Sequence, residues 1–438
     1  MPEGAEHRPL TLPHALALVV SSMIGTGVFT TAGFMLRALP SPALVLGAWA
    51  LSGVLALAGA AVYAELGAMM PRAGGEYVYL RRAFPPVVAF LSGWVALLVG
   101  FAAPTAATAM AFARYLHALA PALPEKAVAL ALVAGVTALH ARTVRGGGAL
   151  QAALTTGVVA VVVVLVGAAI ASPNVDARRL SGSGSTSSTI GAFAVCLIYA
   201  SYSYFGWNAA AYVAGELRDP RRTLPRALLG GAAGVTILYV ALNAVFLAAA
   251  PAARLSGEVE VGTIAATALF GARGGAIMAA LVALALAGSA SALAMTGPRV
   301  LQAMADDGVF FASLGRTNAR GAPARAVILQ GALAAVAVVT AAFDPLLVYA
   351  GFTLGVSAAA TVAAAFVLRR RVPEAERPHR ALAWPWSGVA FLALSAFMIG
   401  FAFVERPRES VGGLATLAGG AAVWRVWRRA RRRADPST

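Results

Sequence analysis

The chain has 438 residues, of which 60% are hydrophobic and 12% charged, with a formal charge of +16 and one cysteine. Soluble domains carry about 25% charged residues, so water is excluded as the main solvent, and a lone cysteine excludes an internal disulfide. Backbone groups in lipid must be satisfied within a helix or a closed barrel. These long Ala/Leu/Val runs lack the ten-residue alternation of a barrel, which leaves an all-α, polytopic membrane protein.

A span needs roughly 20 apolar residues. In chain order the apolar runs predict spans at 12–36, 42–70, 86–116, 126–141, 149–171 and 190–214, then at 226–250, 275–304, 324–342, 345–369, 383–404 and 410–427. About twelve spans leave only short loops, so 1–438 reads as a single transmembrane domain with a basic tail at 428–438. The first run could be a cleaved leader, but its internal polar residues and close spacing to the second favour a retained helix.

The arginines punctuate loops rather than forming a patch for nucleic acid. With the N-terminus in the cytoplasm, 25 of the 34 basic residues fall on that side, from Arg8 through Arg72, Arg145 and Arg369 to the terminal Arg428–Arg433 run. Arg37, Arg114, Lys126, Arg178, Arg179, Arg254, Arg273, Arg406 and Arg408 fall on the other. The positive-inside rule therefore places both termini in the cytoplasm of a multi-pass protein of the cytoplasmic membrane. The terminal run then lies against anionic lipid. Cys196 sits in an apolar run and reads as core.

Two spans should break. Ser21-Ser22-Met23-Ile24-Gly25-Thr26-Gly27 sets two glycines in mid-span, each weakening a helix by about 1 kcal/mol relative to alanine. Tyr199 to Asn208, with Ser201, Tyr202, Ser203, Tyr204, Phe205, Gly206 and Trp207 between them, interrupts the sixth run at similar depth. Gly-x-Gly also serves close helix packing, and aromatic clusters also serve as core. The matching positions of the two breaks, five spans apart, suit an inverted repeat that holds a small solute near the bilayer midplane. Spans one to five (12–171) and six to ten (190–369) would be the repeats, with 383–427 added. Amides freed at the start of a half-helix accept a carboxylate, and carbonyls at the end of another accept an ammonium. Neither break holds Asp, Lys or Arg, which favours a neutral amino acid over a charged one.

Several stretches resemble one family. Met23-Ile24-Gly25-Thr26-Gly27-Val28-Phe29 is similar to the first-helix signature of permeases of the amino acid/polyamine/organocation (APC) superfamily. Tyr63-Ala64-Glu65-Leu66-Gly67 with Gly74-Gly75-Glu76-Tyr77 resembles its second helix and following loop. Tyr204-Phe205-Gly206-Trp207-Asn208 with Asp219-Pro220-Arg221-Arg222 resembles its sixth helix and exit, and Pro298-Arg299 with Ala322-Pro323 its eighth and ninth. The resemblance implies the leucine-transporter fold with a 5+5 inverted repeat, and secondary transport of amino acids by symport or exchange. It also implies a site in which the amides of Gly25, Thr26 and Gly27 hold a carboxylate. The carbonyls of Met23, Tyr202 and Phe205 would hold the amine. Tyr202 would gate the site, and Ile24, Ser203, Tyr204 and Gly206 would lie at or around it.

Many relatives have a lysine in the fifth helix. With Gln151 and Gly157 aligned, its position is Val158, and no basic residue occurs between Leu150 and Ser172. Ser289 and Ser291 could offer hydroxyls to sodium or serve as helix glue, so sodium coupling, proton coupling and exchange all stay open. No other metal, no cofactor and no obligate protein partner is expected. Glu65 reads as the partner of a loop arginine, and Glu216, Asp219, Arg221 and Arg222 as one ion-pair network. His117, His140 and Arg114 read as interfacial, and Ala102, Ala103, Pro104 and Thr105 as an apolar wall. Polyamine or cationic amino-acid transport, a non-transporting sensor and a membrane-embedded enzyme are the alternatives. The five scattered histidines supply no metal or nucleophile set for the last.

Overall fold

Apolar runs in the sequence become helices because an isolated backbone in lipid has no other way to satisfy its polar groups. A computed structural model describes residues 10–142, 147–181 and 190–434. Arg8 and Arg145 lie outside the described residues, as do the side chains of Gln151, Val158 and Arg431 to Arg433. Among the described residues the chain is all-helical, with a single β-bridge between Leu10 and Leu217.

The helices are α1 Leu12–Met23, α2 Thr26–Ala38, α3 Pro42–Met69, α4 Glu76–Ala83, α5 Pro86–Val95, α6 Ala103–Leu119, α7 Glu125–Arg142 and α8 Gly147–Ile170. There follow α9 Ile190–Tyr204, α10 Ala209–Tyr212, α11 Pro220–Ala249, α12 Ala252–Leu255, α13 Val261–Thr296, α14 Pro298–Asp306, α15 Ala312–Gly315, α16 Ala324–Thr340, α17 Phe343–Arg371, α18 Trp386–Glu405 and α19 Pro407–Ala434. Among the described residues seven stretches are long and apolar enough to cross a membrane: Leu12–Ala38, Pro42–Met69, Pro86–Leu119, Pro220–Ala249, Val261–Asp306, Phe343–Arg371 and Trp386–Glu405. Ile190–Tyr204 and Ala324–Thr340 are apolar but shorter.

Departures from the predicted runs have local causes. The third is joined by a π-helical segment, Ala96–Ala102, between α5 and α6. The eighth starts at Val261 rather than 275, because Gly271 at φ 72° lets a leading helix turn into the main one. The eleventh begins at Trp386 rather than 383, after Ala383 at positive φ and Pro385. The last helix runs on through the first part of the predicted basic tail to Ala434.

Packing places the two breaks at the centre. α11 lies along α3 and α1, α2 lies against α9, and α6 lies along α13. Small residues allow these approaches: a Cβ on Gly231 of α11 would collide with Val19 of α1. Trp49, Tyr204 and Tyr239 form an aromatic knot among α3, α9 and α11, with ring centroids 5.0 Å apart for Tyr204–Tyr239 and 5.5 Å for Trp49–Tyr239.

Polar clusters close the two ends of the bundle. At one end Asp344 accepts from Arg37 at 3.2 Å and Arg406 at 3.3 Å, and from the hydroxyl of Tyr199. At the other, Glu65 accepts from Arg369 at 3.0 and 2.5 Å and from the Ala381 amide at 2.8 Å, with Arg377 at 3.4 Å. Glu65 is thus the structural partner of arginines, as its position predicts.

The expected network of Glu216, Asp219, Arg221 and Arg222 is not one network. Glu216 meets Arg299 at 3.3 Å, Arg221 meets Glu376 at 2.8 Å, and Arg222 reaches Asp219 only at 3.9 Å with both side chains exposed. Glu216 ends the short helical turn Ala214–Glu216, and Asp219 starts α11 from a left-handed backbone (φ 57°), so the chain changes direction between them. Nor is His140 interfacial: it is buried and bonded through Nε2 to Ser291 Oγ at 2.8 Å. Arg114 meets Glu125 at 2.8 Å and Glu260 at 3.2 Å. Cys196 is buried core.

Candidate functional site

The first span stops being helical at the glycine pair. α1 ends at Met23, Ile24 takes φ −73°, ψ 87°, Gly25 takes φ −133°, ψ −147°, and α2 restarts at Thr26. The first amides of a helix have no acceptor within it, and no side chain caps α2. The amides of Gly25, Thr26 and Gly27 therefore form a concentration of donors at a positive dipole end.

The sixth span breaks opposite. α9 ends at Tyr204, residues 205–208 form a turn, and α10 restarts at Ala209. Gly206 has φ 109°, which an L side chain rarely adopts, and a Cβ there would meet the Ser22 carbonyl at the end of α1. Sequence places both breaks for one reason: glycines flanked by hydroxyl or aromatic residues are weak points in otherwise apolar helices.

Between the breaks lies a cavity. Of the predicted residues, Met23, Gly25, Thr26, Gly27, Tyr202, Ser203, Phe205 and Gly206 line it. Ile24 and Tyr204 do not. Ile24 is buried in the core, and Tyr204 turns to the aromatic knot and to a second, apolar cavity between α3, α9, α17 and α18. Phe205 lines both cavities and forms the wall between them.

The donors and acceptors differ in how free they are. Met23 O already accepts from the Tyr239 hydroxyl, and Tyr202 O from the Phe205 amide at 3.1 Å, leaving each one lone pair. Gly27 has a packing role as well, since a Cβ there would fall on Ser203, whose hydroxyl lies 3.3 Å from Thr31 Oγ1. Gly25 faces Ser289, whose Oγ lies 3.0 Å from the place a Cβ would take.

Two expectations are corrected here. Ser291 does not share the Ser289 position: residues two apart on an α-helix point about 200° apart, so Ser289 lines the cavity while Ser291 turns to His140. Among the described residues no cluster of three or more His, Cys, Asp or Glu could hold a metal ion. In the third span the cavity is lined by Gly100, Phe101, Pro104 and Thr108. Only Pro104 of the predicted wall takes part, because the π-helical turn resets the face.

Two residues were not found from sequence. Tyr239 of α11 directs its one hydroxyl proton to Met23 O, with Ser203 O at 3.2 Å as a second, shared acceptor, so one side chain bridges the ends of both broken helices. Glu76, at the start of α4, is buried and lines the cavity. Its signal was present in Gly74-Gly75-Glu76-Tyr77, but that stretch reads as a loop.

Paired helix breaks that face one central cavity, in a bundle of long apolar helices, define the architecture of a multi-pass membrane protein. The family model described as amino acid permease matches residues 10–423, and the chain belongs to that family, whose members are transporters rather than enzymes. It is 29% identical over 374 residues to b(0,+)-type amino acid transporter 1 of Mus musculus, covering 83% of this chain and 76% of that one. It is 28% identical over 430 residues to Large neutral amino acids transporter small subunit 2 of Rattus norvegicus, covering 95% of this chain and 80% of that one.

Proposed function

We propose that the chain is a secondary transporter of neutral amino acids that works by alternating access, with the solute held between the breaks at Gly25 and Gly206. The observation that carries this reading is the uncapped amino end of α2 facing the end of α9 across one cavity, with donors for a carboxylate on one side and acceptors for an ammonium on the other. Twelve spans in a 5+5 inverted repeat, with both termini in the cytoplasm, agree with the helix order and with the bias of the arginines. The neutral preference draws support from the lack of ionisable residues in the breaks and from the relative named for large neutral amino acids.

That relative is also named a small subunit. A companion chain is therefore checked by the mass of the complex extracted in mild detergent. Ser289 beside Gly25 keeps a hydroxyl available to sodium, and the sodium dependence of flux tests it.

Proteoliposomes loaded with unlabelled amino acids and given each radiolabelled amino acid in turn test the function. Counterflow of neutral amino acids is expected, with lysine and putrescine competing poorly. Gly25→Leu should fill the amide cradle and abolish flux while folded protein remains in the membrane. Normal flux by that variant refutes the site, and saturable binding without flux in the parent protein refutes transport.

A further inference from the structure

We propose that Glu76 is a proton-binding residue of the transport cycle, holding a proton while the α4 end of the cavity is sealed and releasing it when that end opens. This rests on the transport reading above and adds a coupling ion to it.

Glu76 is 7% exposed and sits on the cavity wall. Three neutral donors on three different elements hold its carboxyl. The Tyr63 hydroxyl of α3 and the Asn208 amide of the second break donate to Oε1 at 2.8 and 3.0 Å, and the Ser357 hydroxyl of α17 donates to Oε2 at 2.7 Å. Glu65, Asp307 and Asp344 each meet arginines. Among the described residues Glu76 has no cationic partner.

The titratable groups around it are tyrosines: Tyr63 from α3, Tyr212 from α10 and Tyr79 from its own helix. Tyr77 and Arg81 of α4 turn to Asp307. From α17 come only the hydroxyls of Ser357 and, beside Tyr63, Thr361, because Arg369 is engaged by Glu65 and Arg371 by the Ala83 carbonyl. α5 carries no titratable residue. A carboxyl in such surroundings is neutralised by a proton rather than by a counter-ion. Burial raises its proton affinity, opposed by the three hydrogen bonds and by its place in the first turn of α4.

The geometry serves both states. Ionised, the carboxylate accepts all three bonds. Protonated, Oε2 donates to Ser357 Oγ, which reverses its role because a hydroxyl both donates and accepts. Asn208 belongs to the break itself, so a swing of α10 away from α3 and α17 admits water to the carboxyl, which replaces the Asn208 donor and removes the burial that raised the proton affinity. Water then accepts the proton, and the proton taken up on one side of the membrane leaves on the other.

The test uses proteoliposomes of the full chain enclosing a pH-sensitive dye, with the amino acid that gives the largest counterflow. An inward proton gradient of one pH unit should drive accumulation up to about tenfold at one proton per substrate, and the dye should report acidification. In Glu76→Gln the ratio of uptake with the gradient to uptake without it should fall to unity. Ser357→Ala should keep a gradient response with a displaced pH midpoint.

A parental protein that carries amino acids with no gradient response overturns this proposal alone, and one with no flux overturns the transport reading too. A Glu76→Gln protein that keeps the parental ratio, or that changes only its choice between cationic and neutral substrates, also overturns it. If Glu76→Gln fails to reach the membrane, the parental dye signal and the Ser357→Ala midpoint decide the matter.

Discussion

The hydroxyl of Tyr239 donates towards the carbonyls of Met23 and Ser203, each at the end of a helix that stops inside the bundle. Those carbonyls have lost their helical partners, and the Tyr239 hydroxyl stands in for them. Leaving a buried acceptor unpaired costs about 1–3 kcal/mol. Tyr239→Phe, which keeps the ring and its packing, is therefore expected to lower the unfolding temperature in detergent and to reduce flux. Unchanged values for both would show that the hydroxyl holds nothing. At this scale sequence reveals residues whose role follows from the backbone, such as Gly25, Gly27 and Gly206. It does not reveal Tyr239 or Glu76, whose partners come from helices far along the chain. Ser291 fails for a simpler reason, the 100° turn per residue that sends it away from Ser289.

Among elements, the long apolar helices are legible because hydrophobic length is nearly all that lipid requires. What lipid does not dictate is less visible: the π-helical turn before α6, the leading helix before Gly271 and the identity of ion-pair partners. The joint of α3 with α17 is one such pairing, made by Glu65 with Arg369 and Arg377. Glu65 is buried, and losing one partner of a buried pair costs about 3–5 kcal/mol. Glu65→Ala should accordingly give a large loss of thermal stability in detergent. Arg222→Ala, at an exposed pair 3.9 Å apart, should stay within about 0.5 kcal/mol. Equal effects from the two variants would contradict the packing described here.

On the scale of the whole molecule, the cluster of Arg37, Asp344, Arg406 and Tyr199 ties α2, α9, α17 and the α18–α19 turn at the end opposite Glu65. Removing its carboxylate leaves two guanidinium groups facing each other. The chain's single cysteine reports on this end, since Cys196 is buried between α9 and α2 with its thiol 3.5 Å from the Met35 carbonyl. Asp344→Asn should speed maleimide modification of Cys196 by several-fold, through more frequent parting of α2 from α9. A rate equal to that of the parent would mean the cluster does not hold these helices together.

The bridge of Leu10 to Leu217 has a mechanical meaning. Leu10 donates to Glu216 and accepts from Arg218, at 3.2 and 2.8 Å, so the strand leading into α1 is stitched to the segment leaving α10. Two pieces of chain roughly 200 residues apart are thereby geared together. On the transport reading proposed above, a hinge that carries α1 outward draws α10 with it, so that both jaws of the clamp loosen in a single stroke.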